Sequence, residues 1–528
     1  MNRSNQTPTG RSKGRAERDA EPAPAADAEP DAEPANAAAT VEAVTSGPAG
    51  ADFLQLDPAA APPGGLADWL AARLRAAIAD GRLPTGSRLP ATRVLAGELR
   101  VSRGVVTDAY RRLTEEGQIA GRGRAGTVVL AAPAPPPPPP APPLPAPPAP
   151  FDTAPAPESF DVLRAAPARI NLAPGVPDLA AFPRTAWLRA ERAVLDDLPA
   201  QELGYGDPRG TPALRRAVAH WLARNRGIRA DPDEVLIVAG AAQALTLLGQ
   251  VLSGDGVTEV AVEDPGSLGT RQHLGHWLTA TPPVPVDAEG IRVDALRATG
   301  APAVLLTPAH QFPTGVVLGG GRRRELLRWA GEGGLVLEDD YDAEHRYDRP
   351  PVPALRAVHP ERVCYTGSVS KLLAPALRTG WLLTPTRYRE AVLSAKRFAD
   401  LGNAALPQLV LARLMETGEL ERHLRLLRPR HRRRRDAMIA AIDAHLPGAV
   451  VHGAAAGLHL TVTFPAGLDC SDTDLATAAL AHGVKVQPLS WHARLPHPPG
   501  LVLGYAAGSV GEITEGIAIL GRLLRRTG

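Results

Sequence analysis

Thirteen of the residues from 131 to 150 are proline, in the run APAPPPPPPAPPLPAPPAP. A proline ring fixes φ and removes the amide donor, so such a stretch makes neither helix interior nor central strand. It favours polyproline II, a semi-rigid spacer of about 3 Å per residue. A ligand for an SH3-like partner is the alternative; a linker between two folded parts is the better reading. The boundaries expected are a tail over 1–65, a first domain over 66–130, a proline-rich linker over 131–167 and a second domain over 168–528.

Charge divides along the same lines. The net charge of +2 on 528 residues gives no hint of a nucleic-acid partner. Residues 1–65 nevertheless carry ten acidic and five basic groups, a net −5, and are rich in Ala and Pro. That composition predicts disorder. Residues 66–130 hold eleven arginines against six acids, a net +5, and the remaining 398 residues sum to +2. Only four of the 58 basic residues are lysines: Lys13, Lys371, Lys396 and Lys485. Their scarcity marks any lysine that stands in a site-like context. Two cysteines, Cys364 and Cys470, cannot staple a secreted scaffold, and the first residues hold no apolar core of a signal peptide. With no apolar run of about 18 residues to span a membrane, the expectation is a cytoplasmic protein.

The basic segment reads as two short helices after a longer one. Leu66, Leu70, Leu74 and Ile78 recur at helical spacing. GRLPTGSRLP breaks that helix, and a second helix fits Ala91–Arg100 with Val94, Leu95 and Leu99 turned inward. Ser102 is a plausible N-cap for a third, Arg103–Glu116, because its hydroxyl can accept an orphan N–H. There Val106, Ala109, Tyr110 and Leu113 form the apolar face, leaving Arg103, Thr107 and Arg111 outside. Gly117, Gly121, Gly123 and Gly126 around Arg122 and Arg124 then predict a tight hairpin whose arginines reach a minor groove or phosphates. A helix N-terminus opening with Ser-Arg after a tight turn is the geometry that enters a major groove. GRGRAG matches the dinucleotide-binding G-x-G-x-x-G by letter, yet opens no helix and sits in no βαβ unit.

LPATRVLAGELRVSRGVVTDAYRRLTEEGQIAGRGRAGTVV resembles the DNA-binding module of GntR-family regulators. The resemblance implies a winged helix-turn-helix on double-stranded DNA, with Arg93, Arg103 and the glycine-rich wing as contacts.

Beyond residue 168, VLIVAG (235–240), EVAVED (259–264), AVLLTP (303–308), LVLEDD (335–340), VCYTGS (363–368) and TGWLLT (379–384) read as buried strands alternating with helices. That pattern predicts an α/β sheet with ligand chemistry at the strand ends. Two ends are unusually polar: Glu338-Asp339-Asp340-Tyr341-Asp342, and Gly367-Ser368-Val369-Ser370-Lys371 with Arg378 seven residues on. A pyridoxal phosphate site requires such a set. It needs a desolvated lysine for a Schiff base, a carboxylate at the pyridine nitrogen and a phenol at the ring hydroxyl. It also needs a phosphate cup of hydroxyls, an arginine and backbone N–H groups.

YGDPRG (205–210), AGAAQAL (239–245), VEDPGS (262–267), TPAHQFPTG (307–315), EDDYDAEHRYD (338–348) and GSVSKLLAPALRTGW (367–381) resemble the successive landmarks of fold-type I aminotransferases. Preceded by the basic module, they are similar to the MocR subfamily of GntR regulators. The resemblance implies a large α/β domain with a mostly parallel sheet. It makes Lys371 the Schiff-base lysine, with Asp339 at the pyridine nitrogen and Tyr341 at the ring hydroxyl. Ser368, Ser370, Arg378 and the turn Gly240, Ala241, Ala242 and Gln243 would hold the phosphate. Tyr205 would reach the phosphate of a neighbouring subunit, implying a homodimer. Three departures stand out. Ser267 occupies the position of a tyrosine that stacks on the cofactor ring. Gln311-Phe312 replaces the asparagine of NPTG. The segment 499–508 contains no arginine to clamp a substrate carboxylate, and Arg494 is the nearest substitute.

RPRHRRRRD (428–436) reads as a helix continuing from LERHLRLL with a solvated basic face, or as an aid to drawing DNA in. His273, His276 and His310 lack metal-ligand spacing, so no metal is expected. Three functions remain: a regulator that binds pyridoxal phosphate and senses a small amine, an amino acid or the cofactor itself; a working aminotransferase with a DNA-binding arm; and a DNA-binding regulator whose body has lost the cofactor.

Overall fold

A computed structural model describes residues 54–123, 126–130, 150–151, 155–347, 352–465 and 470–527. The chain divides into two compact units, 1–143 and 144–528.

The first unit holds α1 (Leu66–Ala79), β1 (Arg88–Leu89), α2 (Thr92–Glu98), α3 (Arg103–Glu115), β2 (Ile119–Gly121) and β3 (Thr127–Val129). The strands form an antiparallel sheet in the order β1-β3-β2. Leu70, Leu74 and Ile78 of α1 meet Val106, Ala109, Tyr110 and Leu113 of α3 in one buried cluster. Each of the Leu, Ile and Val side chains contributes roughly 1.5–3 kcal/mol on burial. Val94 does not turn inward but is 40% exposed. Leu95 and Leu99, four apart, share the single stripe that so short a helix buries, and Val94 falls off it. Leu54 packs into the same cluster, so the segment expected to be disordered over 1–65 is ordered at its end; residues 1–53 lie outside the described residues.

The second unit begins with α4 (Ser159–Ala165), β4 (Ile170–Asn171), α5 (Arg184–Asp197) and α6 (Pro212–Arg226). An alternating series follows: β5 (Leu236–Val238), α7 (Ala241–Gly254), β6 (Val260–Asp264), α8 (Leu268–Gly275), β7 (Pro283–Asp287), β8 (Gly290–Ile291), α9 (Val293–Thr299), β9 (Ala303–Leu306), α10 (Gly320–Gly331), β10 (Leu335–Asp340), β11 (Val363–Ser368) and β12 (Gly380–Leu383). All six apolar runs read from the sequence are strands of one eight-stranded sheet, ordered β5-β12-β11-β10-β9-β6-β7-β8. Its centre is parallel, whereas β12 runs antiparallel to both neighbours and β8 closes one edge antiparallel.

The chain then continues through α11 (Thr386–Asp400), α12 (Ala405–Glu416) and α13 (Glu419–His445) to β13 (Val450–His452), β14 (His459–Thr463), α14 (Asp472–Ala481), β15 (Val484–Lys485), β16 (Gln487–Pro488), β17 (Gly500–Gly504) and α15 (Val510–Thr527). These strands form a second, antiparallel sheet, β13-β14-β17-β16, while β15 pairs with β4. Leu163 of α4 is buried in the core over this sheet, and Phe151 packs on Trp491 at 5.2 Å. Phe151 and Leu163 thus lie within the segment expected as linker, 131–167, and are taken up by the core of the second unit. The basic run lies within α13. Arg434 donates to Asp178 at 2.9 Å and Arg435 to the Ala454 carbonyl at 2.8 Å, so part of that face turns into the fold. Among the described residues no helix is long and apolar enough to cross a membrane.

Candidate functional site

Strand periodicity sorts the acidic run of β10. Leu335 and Leu337 pack with α7, and Asp339 continues that face, because alternate residues share a side. Glu338 and Asp340 point the other way and are structural. Glu338 accepts N–H bonds from Leu355 and Arg356, and Asp340 pairs with the buried Arg226 at 2.5 Å and accepts from the Tyr365 hydroxyl at 2.6 Å. Asp339 emerges into a cavity of about 610 Å³ also lined by Tyr341, Ser368, Ser370, Lys371, Arg378, Ala241 and Ala242. Its Oδ1 is buried with no hydrogen-bond partner. Burial, then the neighbouring Asp340 and Asp342 charges, push the Asp339 carboxyl up to about 7.

Lys371 lies three residues past the end of β11. Its Nζ donates to the Gly175 carbonyl at 2.5 Å. Burial lowers its pKa against the opposing pull of Asp342 and Asp339. The chain then turns through a 3-10 segment, Pro375–Leu377, which Arg378 ends in the left-handed region at φ 45°. A non-glycine residue held there points to a constraint on the side chain. Arg378 donates to the Ala239 carbonyl and packs its guanidinium against Gly240, where a Cβ would stand 3.4 Å from Nη1. Gly240, at φ 80°, caps α7, whose first N–H groups have no intrahelical partner and meet the cavity at Ala241 and Ala242. Ser368 Oγ accepts from the Ser370 N–H at 3.4 Å.

One expected member stands apart. Gln243 turns away from the cavity, donating to Asp400 and accepting from Lys396 and the Ala239 N–H, each at 2.8 Å. Its side chain sits on the α11 side of the turn, so only backbone remains for an anion. Tyr205, expected at the phosphate of a neighbouring subunit and not at this one, is 97% exposed and outside this cavity.

Ser267 lines the cavity but is engaged as the N-cap of α8, accepting from the Thr270 N–H at 3.2 Å. Besides Tyr341 and two histidines, the aromatic side chains lining the cavity are Phe312 and Phe160. Phe312 meets Tyr341 edge-on at 6.2 Å, and Phe160 stands where a Cβ on Gly269 would approach it to 3.5 Å. Gln311 is a latch, donating to the Pro265 carbonyl at 2.8 Å and accepting from the Thr314 hydroxyl at 2.6 Å. Arg494 faces away, its guanidinium donating to the Thr281 carbonyl. His310, Asp342 and His459 gather with ligand atoms within 4.8 Å of one another. His310 Nδ1 lies 2.9 Å from both the Tyr341 hydroxyl and Asp342, and His459 Nε2 donates to the Pro313 carbonyl at 3.1 Å.

In the first unit, Arg93, Ser102, Arg103, Thr107, Arg111 and Arg122 are all exposed. Ser102 caps α3 through the Val105 N–H at 3.4 Å, and the Thr107 hydroxyl donates to the Arg103 carbonyl at 2.9 Å. Arg111 is tied to Asp108 and Glu115 at 2.5 and 2.6 Å. Arg122 opens the β2–β3 turn, its N–H on the Gly126 carbonyl at 2.8 Å. Arg124 lies outside the described residues.

Residues 66–129 match the family described as bacterial regulatory proteins, gntR family, and residues 168–518 match aminotransferase class I and II. Relatives match over most of the chain. The uncharacterized HTH-type transcriptional regulator YhdI of Bacillus subtilis is 32% identical over 83% of this chain and 92% of its own. The probable rhizopine catabolism regulatory protein MocR of Rhizobium meliloti is 31% identical over 84% and 91%. The chain belongs to the MocR-type GntR regulators. The second unit of this MocR-type regulator also matches solved aminotransferases. The multiple substrate aminotransferase of Thermococcus profundus is 28% identical, with a TM-score of 0.63 over 70% of this chain and 94% of that one. The alpha-aminoadipate aminotransferase of Thermus thermophilus, solved with N-(5'-phosphopyridoxyl)-L-leucine, agrees equally, at 28% identity and a TM-score of 0.63 over 70% and 94%.

The fold of the MocR-type regulator carries pyridoxal phosphate as its cofactor, and its own residues fit that group. An orphaned buried carboxylate awaits a cation, a desolvated amine stands beside it, and an arginine and a helix N-terminus face the same space. Sequence reasoning missed Phe160, Gly175, His459 and Lys485 as cavity residues. Lysine scarcity was a signal for Lys485; the others come from distant segments and carried none.

Proposed function

We propose that the second unit holds pyridoxal phosphate through Lys371 and responds to a small amine or amino acid, or to the cofactor itself, and that this response alters DNA binding by the first unit. The observation that carries the reading is the convergence of Lys371 and the unpartnered Asp339 on one cavity with Tyr341, Ser368, Ser370 and Arg378. When bound, the cofactor supplies an electron-withdrawing ring and a carbonyl able to exchange amines. Burial lowers the Lys371 pKa and so favours the neutral, nucleophilic amine. Asp339 holds a proton at the pyridine nitrogen, and Tyr341, steadied by His310, donates to the ring hydroxyl. Arg378, Ser368, Ser370 and the α7 N-terminus bind the phosphate.

On the DNA side, α3 enters the major groove from its Ser102 end, with Arg93, Arg103, Thr107, Arg111, Arg122 and Arg124 as contacts. A domain pair at 66–130 and 168–528, acting as a homodimer in the cytoplasm, completes the reading. The exposure of the Tyr205 ring supports a second subunit covering it. An aminotransferase role is less favoured: Arg494 does not face the cavity, and 499–508 supplies no arginine.

The test is a visible absorption band in purified protein loaded with pyridoxal phosphate. The band should vanish in Lys371→Ala while the melting temperature of the cofactor-free protein stays within a few degrees. A band that survives the substitution sinks the assignment.

A further inference from the structure

The cations lining the cavity are Arg164, Lys371, Arg378 and Lys485. Lys371 and Arg378 belong to the cofactor reading above. Arg164 pairs with Asp161 and its side chain is 71% exposed. Lys485 is different: it is only 7% exposed, and it ends β15 opposite Asn171 of β4, at the cavity wall. Its Nζ donates to the Arg164 carbonyl, in the last turn of α4, at 3.0 Å. An ammonium carries three donors, and among the described residues no carboxylate pairs with this one. The contrast with Lys396 is sharp. That buried lysine is satisfied three times over, by Asp400 at 2.7 Å, Gln243 at 2.8 Å and Asn403 at 2.5 Å.

A buried charge without a counter-ion is unfavourable unless something answers it. Burial indeed lowers the Lys485 pKa, with no neighbouring acid opposing it. The two histidines of the wall, His459 and His492, are pushed down to about 3 by burial and carry no charge near neutral pH.

We infer that Lys485 is the counter-ion for an anionic group on the effector, so that the ligand class is an amine carrying a carboxylate rather than a bare amine. The inference rests on the amine-responsive reading of the cavity. It also places the bound ligand against α4, the first described helix after the proline-rich segment.

The experiment titrates the full-length, cofactor-loaded protein with β-alanine and 5-aminopentanoate, and with ethylamine and butylamine, following the cofactor absorption band. The carboxylate-bearing probes should perturb the band at concentrations about tenfold or more below those of the amines, the scale of a hydrogen bond to a charged group. Lys485→Met should abolish that preference, and Lys485→Arg should retain it, with melting temperatures showing that both variants fold. The inference is overturned if the carboxylates perturb the native band no more than the amines do, a null response included. It is equally overturned if Lys485→Met discriminates as the native protein does. Failure of the underlying reading appears separately, before any ligand is added, as a band that does not depend on Lys371.

Discussion

The Nζ of Lys371 donates to the main-chain carbonyl of Gly175, 196 residues earlier, at 2.5 Å. That contact holds the amine at the cavity wall beside Asp339, where burial lowers its pKa. Gly175 sits at φ 83°, and a Cβ there would stand 3.4 Å from Nζ.

Gly175→Ala should therefore slow cofactor loading and lower stability, by about 1–2 kcal/mol for the left-handed backbone alone. Loading rates followed by absorbance, with urea melts alongside, check both effects. Loading at the native rate would mean that the Gly175 contact does not position the amine.

Asp339 sets a pH dependence. Its folded pKa of about 7 lies above the unfolded value of 3.8, so the unfolded state loses its proton first as pH rises. This group's contribution to stability is thus fully present below about pH 4 and lost between there and about 7. In cofactor-free protein, Asp339→Asn should raise the melting temperature at pH 8 more than at pH 4. At about 1.4 kcal/mol per tenfold change, the gain is bounded at about 4 kcal/mol. The same variant should lose cofactor affinity, because the amide cannot hold a proton at the ring nitrogen as a carboxylate does.

Ser267 is a helix cap in this chain. Ser267→Ala should cost about 0.5–2 kcal/mol of stability while leaving cofactor affinity nearly unchanged, as measured by melting and by titration with pyridoxal phosphate. A large drop in affinity without destabilisation would assign the hydroxyl to the ligand instead.

Arg103 and Arg111 should separate in DNA binding. Arg103→Ala should weaken specific binding by about 1–3 kcal/mol if the residue reads bases. Arg111→Ala should weaken it less, because Asp108 and Glu115 already hold its guanidinium. Gel-shift affinities on one operator at fixed salt give the comparison.

Arg494→Ala should leave both the cofactor band and its response to amines unchanged, since the guanidinium is spent on the Thr281 carbonyl. Loss of an amine response on this substitution would restore the arginine as a ligand clamp.

Read alone, the amino-acid sequence determined the local features. Proline density set the expected division of the chain, continuous apolar runs produced six strands of the large sheet, and the Ser102 cap placed the start of α3. Lys371, Asp339 and Tyr341 were legible because they lie at or just past strand ends, and Arg378 because it stands in the turn between β11 and β12. Tertiary structure alone decided which of several similar residues reach the cavity. Asp339 does and Asp340 does not, by strand alternation; Gln243 is drawn off by Lys396, and Arg494 by Thr281. It also brought Phe160, Gly175 and Lys485 to one wall from segments more than 300 residues apart. No local pattern encodes such meetings, because they depend on how the second sheet and α4 close over the first. The missing counter-ion of Lys485, which distinguishes it from Lys396, exists only once the chain has folded and β15 has carried the ammonium to the cavity wall.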